Sequence, residues 1–182
     1  MDKNLDSEEA FSYLVKVKSA VSRQIDLKLK ANCIEREKLA QLWNVPLVED
    51  LHAELQLVPW EKNGVRAVGT VYAKIIQTCV LTLEPVISLI EETLEYIFVP
   101  EYSKLLDTLT DNVDDVASGW QPDIVTFSKD GVIDVGVIIS ESVALAINLY
   151  PKKEGAVFVN DYDSFDNRKV SSFEALKNWK RH

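Results

Sequence analysis

The sequence predicts an α+β fold: a curved antiparallel sheet or partly open barrel with two main helices packed on it. Three observations carry that expectation. Ile25, Leu27 and Leu29 alternate with Asp26, Lys28 and Lys30, and Leu51, Ala53, Leu55 and Leu57 alternate in the same way, which is the period of a strand with one buried face. Two other segments, opening at Asn32 and Asp134, carry apolar residues at helical spacing behind a side chain suited to an N-cap.

The elements follow in order. Phe11 to Lys18 is read as a strand that forms a hairpin around Ala20 to Arg23 with the alternating segment Arg23 to Lys30. Asn32 and Glu35 have the spacing of a capping box, so a helix over Glu35 to Trp43 is expected, with Leu39, Leu42 and Trp43 on the core side and Pro46 as its stop. The strand through Leu51 to Leu57 should turn at Asn63-Gly64, whose residue types tolerate positive φ, and return as a long strand from Val65 to Val80. Val86 to Phe98 fits either period: apolar residues at 86, 89, 90, 94 and 97 suit a helix, whereas Leu94, Tyr96 and Phe98 alternate. Asp130-Gly131 marks a turn. Asp134 then caps a helix running to Asn148, with Val135, Ile138, Ile139, Ser142, Leu145, Ala146 and Leu149 on one stripe and Pro151 as its end.

The 182 residues are expected to form one domain, with an acidic loop at about 107–123 and a flexible C-terminal segment at about 154–182. The loop holds Asp107, Asp111, Asp114, Asp115 and Asp123 among small polar residues, and such a segment is a solvated linker, a mimic of a nucleic-acid backbone or a surface for a basic protein partner. Near the chain end, Ser171 and Glu174 are spaced to open a short helix presenting Phe173, Leu176 and Trp179 beside Lys177, Lys180 and Arg181. This hook is the candidate partner-binding surface.

A net charge of −9 opposes simple binding to a polyanion and favours a basic protein partner. Apolar runs are too short for a membrane span and the acidic N-terminus lacks a secretory signal, so no membrane contact and a cytoplasmic location are expected. The two cysteines, Cys33 and Cys79, are then expected to stay reduced. No phosphate-binding glycine loop, nucleophile motif or paired acid points to an enzyme, and no cofactor is implied.

Thr78-Cys79-Val80-Leu81-Thr82-Leu83-Glu84-Pro85 has the outline of a Cys-x-x-Cys-Leu motif with Thr82 in place of the second cysteine. A hydroxyl stays protonated at neutral pH and is a poor zinc ligand, so no metal is expected and Cys79 reads as a small buried hydrophobe. His52 stands near Glu54 on the polar side of its strand, where two ligands make no metal site. Glu141 interrupts an apolar helix, and a charge near a core has to be paired or held at its edge.

Three ordered features resemble the YceD family of large ribosomal RNA subunit accumulation proteins: the Cys79, Thr82, Leu83, Glu84, Pro85 motif; Gly131-x-Ile133-Asp134 leading to Glu141, Leu145, Ala146, Ile147, Leu149 and Pro151; and the terminal Phe173-x-x-Leu176-Lys177. The resemblance covers roughly the last two thirds of the chain. It implies a bacterial, non-enzymatic factor needed for 23S ribosomal RNA to accumulate, acting on a large-subunit assembly intermediate through a ribosomal protein, an assembly factor or the RNA itself. It also favours a strand over Val86 to Phe98. Family members with metal-like cysteines carry a second cluster after the Pro151 position, where this chain has Lys152-Lys153-Glu154-Gly155-Ala156. The competing expectation is a small-ligand-binding domain or enzyme with an apolar pocket enclosed by the Leu51 to Phe98 strands.

Overall fold

The computed structural model describes residues 9–61, 63–101, 123–128 and 130–157. In chain order these form β1 (Leu14–Lys16), α1 (Val17–Ser22), β2 (Ile25–Lys30), α2 (Cys33–Leu42), β3 (Leu47–Trp60), β4 (Gly64–Thr78), β5 (Pro85–Pro100), β6 (Asp123–Phe127), β7 (Val132–Asp134) and α3 (Val135–Ala146). A five-stranded sheet has the order β2-β3-β4-β5-β6, antiparallel through its first four strands, with β6 parallel to β5. A second sheet of two strands pairs β1 with β7. The α+β expectation holds, as an open sheet with helices and no closed barrel.

Strand alternation sets the layers. Leu27, Leu29, Leu51, Leu55, Leu57, Val71, Ile75, Leu94 and Phe98 point to one face and are buried there with Leu39 of α2 and Val135, Ile138, Ile139 and Val143 of α3. These side chains form the main hydrophobic core between the sheet and the helices. The ambiguous segment is β5, as the family resemblance implied.

Several local expectations change. The N-terminal hairpin does not form: only Leu14–Lys16 is extended, and the next residues coil into α1, which buries Val17 and Ala20 on one side. The partner of β1 is β7, with Leu14 opposite Asp134. Asp134 explains that choice, because its carboxylate accepts from Ser12 Oγ at 2.5 Å and Tyr13 N at 2.8 Å while also capping α3 through Gly136 N at 2.9 Å.

The Asn32–Glu35 capping box is present in both directions, Glu35 N to Asn32 Oδ1 at 2.9 Å and Asn32 N to Glu35 Oε2 at 2.7 Å. Asn44, not Pro46, stops the helix. Its φ of 52° reverses the chain, and the amides of Asn44 and Val45 bond back to Gln41 O and Ala40 O. Leu42 is consequently 61% exposed, leaving Leu39 as the buried anchor of α2 and Trp43 half-buried. Leu145, in the last turn of α3, is likewise exposed, and so is Leu149, which falls outside the helix because α3 ends at Ala146 and Ile147 is extended; Pro151 lies beyond the stop.

At the β3–β4 turn Glu61 has a positive φ, 46°, and Gly64 does not. Gly64 is required for space: a Cβ there would lie 2.8 Å from the Trp60 ring and 2.9 Å from the Trp60 carbonyl oxygen. β4 ends at Thr78, so Val80 belongs to the following turn. Strand β6 was not anticipated; its Asp123 was assigned to the acidic loop, whose remaining residues 107–122 lie outside the described residues.

Candidate functional site

The Cys79 turn is built where β4 stops and β5 begins. Cys79 N donates to Glu84 O at 2.8 Å and Leu83 N to Cys79 O at 3.0 Å, with Leu83 at φ 59°, so the segment closes tightly on itself. Cys79 has no solvent exposure, yet it is not a simple apolar filler. Its sulfur accepts from Thr82 N at 3.5 Å and from Lys153 N at 3.3 Å. The Thr82 hydroxyl, the Lys153 amide and the Thr82 amide together outweigh burial and draw the thiol down to about 6. Donors from two chain segments thus converge on the sulfur and favour its thiolate form.

Those segments are tied in further ways. Val80 N donates to Pro151 O at 3.0 Å, Gln77 Nε2 to Asn148 O at 2.8 Å, and Lys153 Nζ pairs with Glu84 Oε2 at 2.9 Å. Lys153, followed by the Thr82 hydroxyl, holds the Glu84 carboxyl below its ordinary range. The residue standing in the second cysteine position thus supplies an amide and a hydroxyl to the first. The Lys152–Ala156 stretch, where the resemblance locates a second cysteine cluster, is brought against Cys79 through Lys153. Among the described residues no group of three or more His, Cys, Asp or Glu is placed to hold a metal.

Leu83 is 77% exposed at the tip of this turn and Pro85 is exposed at the start of β5. Glu141 is also exposed, on α3, at the rim of a groove lined by Leu42, Trp43, Ile147 and Leu149. It therefore needs none of the pairing expected of a carboxylate near the core. Lys153 was missed as part of the cluster, since it contributes a backbone amide, a group present at nearly every position. The order Pro151-Lys152-Lys153 was the available signal.

The outer face of the sheet, opposite the helices, is polar over much of its area. Lys28 pairs with Glu54 at 2.8 Å, Lys30 with Asp50 at 3.1 Å and Lys74 with Glu49 at 2.6 Å, and Arg66 is engaged with Glu95 through Nε at 2.6 Å. Glu54 is thus the partner of Lys28, whereas His52 Nδ1 meets Asp50 Oδ2 at 2.8 Å and its ring stacks on Tyr72 with centroids 5.1 Å apart. Burial acts to raise the Asp50 pKa, but the hydrogen bonds and charges of Lys30 and His52 lower it overall.

A family model described as Large ribosomal RNA subunit accumulation protein YceD matches residues 67–178. The chain belongs to the YceD family. No curated protein and no solved structure matches it. The YceD match starts within β4 and takes in the Cys79 turn, β5, β6, β7, α3, Lys153 and the positions of Phe173, Leu176 and Lys177. The tail residues Phe173, Leu176, Lys177, Trp179, Lys180 and Arg181 lie outside the described residues. YceD membership associates the chain with large ribosomal RNA subunit accumulation. Among the described residues no helix is long and apolar enough to cross a membrane.

Proposed function

We propose that this YceD-family chain is a non-enzymatic factor supporting 23S ribosomal RNA accumulation and large-subunit assembly in the bacterial cytoplasm. It acts by binding a ribosomal or assembly partner. The family match carries this reading, because its description names an accumulation role and its span covers the Cys79 turn together with much of the tail. The chemistry of the turn agrees with a structural part for Cys79: its sulfur is surrounded by amides and a hydroxyl, with no His among the described residues that touch it. In this reading Phe173, Leu176 and Trp179 provide the apolar face of the partner-binding hook and Lys177, Lys180 and Arg181 its charge.

Deleting the gene should lower 23S relative to 16S ribosomal RNA, measured on total RNA; unchanged 23S and normal subunit profiles sink the proposal. Replacing Phe173, Leu176 and Trp179 together by Ala should abolish co-sedimentation with large-subunit precursors while circular dichroism stays unchanged. Undiminished co-sedimentation would refute the assignment of the tail.

A further inference from the structure

The open side of the sheet has an apolar corner. Leu47, Ile76 and Ile87 lie in register across β3, β4 and β5, so their side chains form one row on the outer face. Leu89, in the next row opposite Lys74, extends the patch. Leu47 is 44% exposed, Ile87 60% and Leu89 77%. Three large aliphatic side chains this open and this close together are not scattered surface residues. Among the described residues, α1, α2 and α3 bury their apolar faces on the opposite side of the sheet.

Charge selects the occupant. Among the described residues, Lys28, Lys30, Lys74 and Arg66 on the outer face are already paired with carboxylates, so a phosphate arriving at them would have to displace Glu54, Asp50, Glu49 or Glu95. Glu91, two residues beyond Leu89 on the same face, has the opposite character. Its neighbour is the Tyr72 hydroxyl, whose pKa it raises, and it has no cation partner among the described residues. The surface therefore offers aliphatic knobs beside a carboxylate without a cation partner among the described residues, on a molecule of net charge −9. Its complement is a basic polypeptide that also presents apolar side chains.

We propose that the Leu47–Ile76–Ile87–Leu89 corner, with Glu91 at its edge, is the docking surface for a positively charged protein partner. The proposal rests on the assembly-factor reading and gives that partner a chemical class. It is tested by placing a benzoylphenylalanine photo-crosslinker at position 89 of the full chain in cells, with position 38 on the exposed side of α2 as the control. The expected adduct at 89 resists ribonuclease, is destroyed by protease, and is identified by mass spectrometry as a basic ribosomal or assembly protein, with no adduct at 38.

The paired variant Leu89→Glu with Glu91→Lys changes two exposed side chains, so the fold should persist, and binding to purified large-subunit precursors should weaken at least about tenfold. A ribonuclease-sensitive adduct, an adduct to a second copy of this chain or to an acidic protein, absence of an adduct, or unchanged binding by the paired variant overturns the proposal. The two readings fail separately. Normal 23S levels after gene deletion remove the assembly role, whereas lowered 23S with full binding by the paired variant removes the docking surface alone.

Discussion

A thiol drawn down to about 6 makes Cys79 a pH-sensitive part of the fold. Its ordinary value is 9.0, so between about pH 6 and 9 the unfolded chain retains a proton that the folded chain has released, and stability rises with pH across that window. The contribution is complete above the unfolded value and is lost as pH falls toward the folded one. Chemical denaturation at a series of pH values should show this slope, and Cys79→Ala should remove it. An identical slope in the variant would mean that other groups cause it. Asp134 has a different load, joining the α3 cap to Ser12 and Tyr13. Asp134→Ala removes the cap and leaves a part-buried hydroxyl and amide without their acceptor, so a loss of about 2–3 kcal/mol is expected by denaturant titration. A loss below about 0.5 kcal/mol would show that the clasp carries little stability.

Among the elements, the central β3–β4 pair depends on one position. Gly69 lies opposite Leu55, and a Cβ on it would stand 2.0 Å from Glu54 O and 2.8 Å from Leu55 Cα. Backbone must move to admit it. Gly69→Ala should therefore destabilise by roughly 2 kcal/mol or more, read as a lower melting temperature, although alanine has no unfavourable propensity of that size in a strand. Elements specified by near neighbours were legible in the sequence. The Asn32–Glu35 box spans one turn, and Ile25 to Lys30 displays its alternation within six residues. β1 and α1 were misread because their partners are remote: adjacency suggested a hairpin with β2, whereas the acceptor that fixes the segment is at position 134. The exposed Leu42, Leu145 and Leu149 show the same limit, since apolar spacing identifies a stripe but not how far along a helix its packing partner extends.

For the whole molecule, the candidate site was half readable. Thr82 in a cysteine position excluded a two-thiol bite, but the donors gathered on the Cys79 sulfur include the amide of Lys153, 74 positions away. The YceD match likewise does not coincide with a structural unit. Residues 67–178 contain most of β4 but none of β2, β3 or α2, which cover its other edge and part of its core face. A fragment limited to 67–178 should expose the β4 edge and the inner faces of Val71 and Ile75, and it is expected to be insoluble or to lack a cooperative transition. A soluble, cooperatively melting fragment would show that the match is autonomous.

Ser12 and Asp134 are 122 positions apart, and their contact has a bearing on synthesis. At about 5–20 residues per second, roughly ten seconds separate their emergence. During that interval β1 has no strand to accept its hydrogen bonds and Phe11, Val17 and Ala20 lack part of their covering layer. The central meander can form while the chain is still growing, but the N-terminal strand must wait. A factor associated with ribosome production is thus itself exposed, at each round of synthesis, to the hazards of a late-closing fold.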